Sequence, residues 1–338
     1  MLEWLELSEK RRQGTLNLTR TRTGLLENAI EKDWWVTLAL KVAFSTKWAS
    51  NLVFEGGTSL SKSWHLIERF SEDIDLSLER EVLGFSGDLS KNKLKALRKA
   101  SFHFISNDFK NAIEEQLLSM GVAEKHFTLT AQESKDSDRD PQVLGLQYKS
   151  VLNNSGYIQE KVLIEIGARS LREPASERII QSIIGATFPE QDFAGNAFSV
   201  LTVEPRRTFL EKAFLLHEEF KKPIEQIRYE RMSRHLYDLE RLMDTPHAKE
   251  ALSDPALYQS IVEHRKKFNQ LRGMDYSFHS PDQINFLPPD EVIPFWENDY
   301  KLMRESMIYG EALEFQPLIK RLKELIERFR GISQHSRA

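Results

Sequence analysis

Cysteine is absent from the 338 residues, which excludes disulfides, thiolate nucleophiles and cysteine-ligated zinc together. Long apolar runs are missing too. No stretch approaches the roughly 20 apolar residues that a membrane span needs, and the opening MLEWLELSEKRRQG lacks the apolar core of a signal peptide. A soluble chain of the cytoplasm, with no membrane partner, is the expectation. Positive charge is not in excess either: the formal net charge is −4, so bulk composition does not advertise a nucleic-acid partner. There is no Gly-x-Ser-x-Gly elbow and no Ser-His-Asp order, which leaves a hydrolase without support. His65, His217, His235 and His247 are too scattered to suggest a metal cluster. Lys62 stands five residues past Gly57, so the glycine turn there is not that of a P-loop ATPase.

What remains is an ordinary globular composition, 40% hydrophobic and 29% charged, in a chain long enough for two domains. Its charge is uneven. Lys10, Arg11, Arg12, Arg20 and Arg22 form one basic run, and Lys91, Lys93, Lys95, Arg98 and Lys99 a second. Lys320, Arg321, Lys323, Arg328, Arg330 and Arg337 load the C-terminal end. Such runs read either as solvated helix faces or as a phosphate-binding surface. Trp4, Phe102 and Phe104 lie near them as base-stacking candidates, though core positions suit them better.

Apolar residues at Ile30, Trp34, Leu38 and Val42 predict one buried helix face. Residues 51–55 predict a strand ending in the Gly56-Gly57 turn, with Thr58 or Ser59 capping a helix through Leu60, Trp64, Ile67 and Glu68. Residues 73–78 alternate with strand period. A long helix is expected over 91–118, a polar loop over 128–139, and a hairpin of strands 143–148 and 162–166 turning at Asn153-Asn154-Ser155-Gly156. Helices are expected over 205–220 and 227–243, then mostly helix, interrupted by the proline-rich 282–294. The fold class is therefore α+β, with a mixed β-sheet flanked by helices in residues 1–200 and a mainly helical domain in 201–338.

The chemistry concentrates in FEGGTSLSKSWHLIERFSEDIDL, beginning at Phe54. Two glycines after a strand let backbone approach a ligand closely, and a following helix would turn free N–H groups and its positive dipole end toward an anion. Asp73 and Asp75, one residue apart on a strand, share a face, with Ile74 pointing into a core. Two convergent carboxylates repel unless a cation or proton sits between them. Magnesium suits them, because it binds through a few carboxylates and completes its shell with water and phosphate oxygens. A phosphate-gripping turn beside a metal-gripping pair describes a nucleoside-triphosphate site. Taken singly, the glycine pair could be a plain turn and the aspartates a solvated strand edge.

Several segments resemble the AbiEii/AbiGii toxin family of nucleotidyltransferases, within the polymerase-β-like superfamily and its type IV toxin–antitoxin toxins. They are Glu31-Lys32-Asp33-Trp34-Trp35-Val36, Gly56-Gly57-Thr58-Ser59-Leu60-Ser61-Lys62 and Arg69-Phe70-Ser71-Glu72-Asp73-Ile74-Asp75-Leu76. Thr208-Phe209-Leu210-Glu211-Lys212 and Arg234-His235-Leu236-Tyr237-Asp238-Leu239 follow the pattern as well. The resemblance implies a polymerase-β-like nucleotidyltransferase domain. It implies nucleotide binding at Gly56, Gly57, Thr58, Ser59 and Lys62, and divalent metal, magnesium or manganese, on Asp73 and Asp75. It implies a phosphate contact at Lys212, and at Asp238 a base or an orienting group for Lys212. Glu165, an acid between apolar neighbours on the strand 162–166, is the candidate third metal ligand. Read without the resemblance, Lys212 is a surface lysine, and Asp238 a solvated residue or the helix partner of Arg234 or Arg241.

The reaction so implied moves a nucleoside monophosphate from an NTP to an acceptor hydroxyl. Relatives in the family add nucleotides to the 3′ end of tRNA and block translation, and an antitoxin encoded nearby is the other implied partner. Nucleotidylation of a protein, phosphotransfer on the same scaffold and a non-catalytic nucleotide-binding module stay open as alternatives.

Overall fold

The computed structural model describes residues 2–133, 141–152, 158–169, 173–269 and 274–335. The expected turn at Asn153 to Gly156, the second half (134–139) of the polar segment 128–139, and Arg337 lie outside the described residues. By its internal packing the chain divides into two units. One comprises Met1–Trp64 and Phe70–Val203, the other His65–Arg69 and Glu204–Ala338. The first unit ends at Val203, and the five residues between Trp64 and Phe70 belong to the second unit.

The first unit opens with three helices, α1 (Glu3–Glu6), α2 (Glu9–Thr23) and α3 (Glu27–Ala43). Strand β1 (Leu52–Glu55), helix α4 (Gly56–Lys62) and strand β2 (Ile74–Leu78) follow. Next come α5 (Lys91–Phe104), a π-turn over Ile105–Phe109, α6 (Lys110–Ser119), β3 (Phe127–Ala131), β4 (Gln142–Tyr148) and β5 (Lys161–Gly167). β6 (Ala175–Ile180), α7 (Ile183–Thr187) and β7 (Phe198–Val203) complete it. The strands form one mixed sheet in the order β3-β4-β5-β2-β1-β7-β6. β1 runs antiparallel to β2 and parallel to β7, and β2 runs parallel to β5. The central strands are apolar because both faces are covered: Leu52, Val53, Phe54, Ile74, Ile164 and Ile166 are all fully buried.

Three sequence expectations change here. The helix expected to bury one face, α3, is buried on almost every side, including Glu31, Lys32 and Asp33. The polar segment expected as a loop begins with strand β3, which pairs with β4 from Phe127 to Ala131. Polar threonines on its exposed face concealed the alternation. The single helix expected over 91–118 is two α-helices joined by the π-turn. Trp4 is core: it packs on Trp34, which meets Trp35 edge to face, and Trp35 stacks on Tyr148 at 5.1 Å.

The second unit is helical among its described residues, with α8 (Pro205–Phe220), α9 (Arg234–Leu242), α10 (Pro246–Leu252), α11 (Pro255–Phe268), α12 (Ile293–Ser306) and α13 (Phe315–His335). Proline at the first turn of α8 costs no hydrogen bond, since those N–H groups lack intrahelical partners. The helix expected over 227–243 starts only at Arg234. Asp299 accepts from the backbone N–H of Arg231 and Ser233 and holds the preceding residues in a turn. Phe209 and Phe286 both pack on Phe329 of α13, at 5.6 and 5.4 Å. No described helix is long and apolar enough to cross a membrane.

Candidate active site

Glu55, the last residue of β1, is extended, and Gly56 then takes a left-handed φ of +79° before the chain enters α4. That dihedral alone favours glycine. A second constraint is steric: a Cβ on Gly56 would land on the Asp75 carboxylate. The glycine therefore makes room for a carboxylate, whereas the sequence suggested room for a phosphate. Helix α4 has only seven residues, and neither Thr58 nor Ser59 caps it. Both hydroxyls turn inward. Thr58 donates to the Asp73 carbonyl and shares a 2.8 Å hydrogen bond with Ser71, while Ser59 donates to the Gly56 carbonyl at 2.8 Å. The pair thus braces the loop that carries the aspartates. Lys62 is also committed within the unit, its ammonium 2.5 Å from Asp33 and 3.3 Å from the Gln181 carbonyl.

Asp73 immediately precedes β2 and Asp75 is its second residue. Both are half-buried while Ile74 between them is fully buried, the alternation that a strand with one core face requires. Directly paired positions on adjacent strands share a face. Asp75 is paired with Glu55 of β1 on one side and with Glu165 of β5 on the other, so three acids stand in a row across β1, β2 and β5. Glu55 escaped sequence reasoning. Its signal was its place directly before the glycine turn, and only the strand register shows that it faces Asp75. Among the described residues, no three carboxylates or histidines converge as a metal-ligand group. Glu165 is in register with Asp75 but does not close such a group with the two aspartates.

Helix α3 supplies the frame beneath this loop. Its three consecutive charged residues each hold a different segment. Glu31 accepts from the Ser150 hydroxyl and the Val151 N–H, Lys32 pairs with Glu72 at 2.7 Å, and Asp33 takes Lys62 and the Ile183 N–H at 2.7 Å. Lys32 and Glu72 are 2% and 4% exposed. Removing one member of so buried a pair strands the other charge, at a cost of about 3–5 kcal/mol. Since Glu72 is covalently next to Asp73, this pair fixes where the aspartate loop leaves the core.

The second unit holds the later motif residues. Asp238 on α9 is fully buried and accepts a two-pronged bond from Arg69, at 2.7 and 2.8 Å, with Lys212 of α8 on its second oxygen at 2.8 Å. Two cations hold its carboxyl far below the usual carboxylate range despite burial. Burial pushes the Lys212 ammonium down and Asp238 opposes that shift. His235 lies 3.5 Å from Lys212, and burial together with that cation pushes its imidazole well below its ordinary value. Neither residue is where residue-level reasoning placed it: Lys212 is not on the surface, and the partners of Asp238 come from Arg69 and Lys212, not from Arg234 or Arg241. Arg69 was the residue missed, although it opens the motif that ends in the two aspartates.

Comparison with known proteins adds the family. The family model described as nucleotidyl transferase AbiEii toxin, Type IV TA system, matches residues 40–329. Among curated proteins, none matches the chain significantly. Two solved structures are similar. JHP933 from Helicobacter pylori is 14% identical with a TM-score of 0.38, over 91% of this chain and 99% of that one. A second H. pylori protein, provisionally described as a nucleotidyltransferase, is 14% identical with a TM-score of 0.32, over 82% of this chain and 99% of that one. Likeness at that level carries nothing about the chemistry, which rests on this chain's own residues.

Proposed function

This chain belongs to the AbiEii family of nucleotidyl transferase toxins of type IV toxin–antitoxin systems, and from that premise we propose that it transfers a nucleoside monophosphate from an NTP to the 3′-hydroxyl of a tRNA. In that reaction the acceptor oxygen bonds to the α-phosphorus, the bridging bond to the β-phosphate breaks, pyrophosphate leaves with the electron pair, and the hydroxyl proton passes to water. The observation that carries this reading is Asp75, seated over Gly56 and flanked in register by Glu55 and Glu165, with Asp73 one residue away.

These donors suit a hard divalent cation, magnesium or manganese, because all are carboxylate oxygens. Asp73 and Asp75 would hold it, with Glu165 in support. A bound ion of this kind supplies neutralisation of phosphate charge and activation of the attacking oxygen. Gly56 and Gly57 keep side chains away from the space before Asp75, where the triphosphate is proposed to lie, while Thr58 and Ser59 hold the loop in shape. Lys212 is the proposed phosphate contact and Asp238 the group that orients it, a role to which their 2.8 Å pairing lends support. The family also makes a cognate antitoxin the proposed partner.

The test is to incubate the pure protein with each α-³²P-labelled NTP, magnesium and total cellular RNA and protein, then resolve the products on a denaturing gel. Label in a tRNA-sized band, lost with Asp75→Asn, is the expected result. Label on protein would move the acceptor, and label from γ-³²P-labelled NTP alone would replace nucleotidyl transfer by phosphotransfer. No label with any nucleotide would overturn the reading.

A further inference from the structure

A cavity of about 300 Å³ lies in the first unit, lined by Ser8, Arg12, Lys125, His126, Lys149 and Ser150 with Leu5, Leu7, Glu9 and Val151. None of these residues belongs to the candidate active site. The cavity is assembled from two places. Ser8 is the N-cap of α2, a helix of 15 residues, and accepts from the Arg11 N–H. Lys125 and His126 precede β3 and Lys149 and Ser150 follow β4. The two ends are tied by a 3.0 Å bond from the Lys149 N–H to the His126 carbonyl.

Arg12 is the second and independent observation. It projects from the first turn of α2, is 7% exposed, and its Nε is fully buried with no hydrogen-bond partner. Among the described residues its guanidinium makes no ion pair. Glu31, the buried acid whose charge acts on Arg12, spends its hydrogen-bonding oxygens on the Ser150 hydroxyl and the Val151 N–H. A buried guanidinium N–H without an acceptor is costly, and an acceptor that arrives from outside removes the cost. Arg12, Lys125 and Lys149 bring three cations to the cavity against the single carboxylate of Glu9, and the positive end of the α2 dipole adds to them. The His126 imidazole responds to the same field: burial first, then Lys125, Arg12 and Lys149, push it below its ordinary value.

We propose that this cavity binds a phosphate group, with the Arg12 guanidinium as its buried donor and Lys125 and Lys149 as the cations at its mouth. A phosphate presents three or more acceptor oxygens in a volume well under that of the cavity, and a guanidinium matches two of them at once. The phosphate is either free, as an inorganic ion or mononucleotide, or the terminal phosphate of an RNA. The inference does not rest on nucleotidyl transfer, since Asp73 and Asp75 take no part in it.

The test is isothermal titration of the full chain carrying Asp75→Asn, without divalent metal, using inorganic phosphate, adenosine monophosphate, and a short RNA with and without a 5′-phosphate. Saturable binding that weakens about tenfold in Arg12→Gln, as loss of one charge-assisted pair implies, and that also weakens in the double variant Lys125→Gln/Lys149→Gln, is expected. Both lysines are exposed, so the double variant reads the site even where Arg12→Gln fails to fold. Preference for the 5′-phosphorylated RNA over its dephosphorylated form and over the small ligands would assign an RNA end. Equal affinity for all phosphates would assign a free phosphate. Absence of saturable binding, or binding unchanged in the double variant, would overturn the proposal whatever the fate of the transferase reading.

Discussion

At the scale of single residues, the site depends on what a side chain displaces as much as on what it offers. Gly56→Ala adds one carbon, and that carbon occupies the place of the Asp75 carboxylate at a left-handed φ. Strain of roughly 1–2 kcal/mol is expected from the dihedral alone, together with near-complete loss of label transfer because Asp75 must move. Thermal unfolding and the transfer assay measure the two separately, and an active Gly56→Ala protein would show that Asp75 need not sit there. Asp73→Asn should differ in kind: activity falls steeply while unfolding stays close to wild type, because asparagine keeps the shape and hydrogen-bonding oxygen of the side chain and removes only the charge. His217 gives a pH dependence. The Asn285 N–H donates to its Nδ1 at 3.0 Å, and burial first and His279 second push the imidazole down to about 4 from 6.5. The unfolded chain therefore takes up this proton at higher pH than the native chain does. The stabilisation is complete above pH 6.5 and is lost as pH falls toward 4, on the order of 3 kcal/mol. Urea unfolding across that window should show this slope, and His217→Asn should flatten it; an unchanged slope would acquit His217.

At the scale of elements, α3 shows how a run of three charged residues can sit inside a buried helix. Each of Glu31, Lys32 and Asp33 is buried because it holds a different segment of backbone or loop. Lys32→Met should cost about 3–5 kcal/mol by stranding Glu72, and adding Glu72→Met should restore most of that stability. If the double variant folds well yet transfers poorly, the pair positions Asp73; if it is fully active, the pair is cohesion alone. Strand and helix existence was largely readable from periodicity: β1, β2, β4, β5 and α8 fall where alternation and helical spacing put them. The start of α9 was not, since Asp299, far along the chain, sets it by bonding two N–H groups. Nor was the brevity of α4, which ends after seven residues although helical spacing continues through Ile67.

At the scale of the whole molecule, the chain crosses between units twice before it finally leaves the first. His65–Arg69 belongs with Glu204–Ala338, and Arg69 provides two of the bonds that neutralise Asp238. A fragment of residues 204–338 therefore lacks one of the two cations on a fully buried carboxylate. It should be destabilised by about 3–5 kcal/mol relative to the same unit in the full chain, and Arg69→Met in the full chain should reproduce that loss. Circular dichroism and urea titration of the two measure this. A fragment as stable as the intact unit would show that Lys212 alone suffices for Asp238.

Fold class, the glycine turn and the aspartate pair follow from the order of residues alone, because these are local: a period of two, a turn residue and a spacing of one are written in adjacent letters. Family resemblance lifted Lys212 and Asp238 out of a helical background in which nothing local distinguishes them. Long-range packing sets the rest: Gly56 yields to a carboxylate, Glu55 and Glu165 stand in register with Asp75, Lys62 belongs to Asp33, and Asp238 is held by Arg69, 169 residues away. Strand register and the pairing of buried charges are long-range choices, made by which arrangement leaves the fewest charges and hydrogen-bonding groups unsatisfied, and no short window of sequence contains both partners.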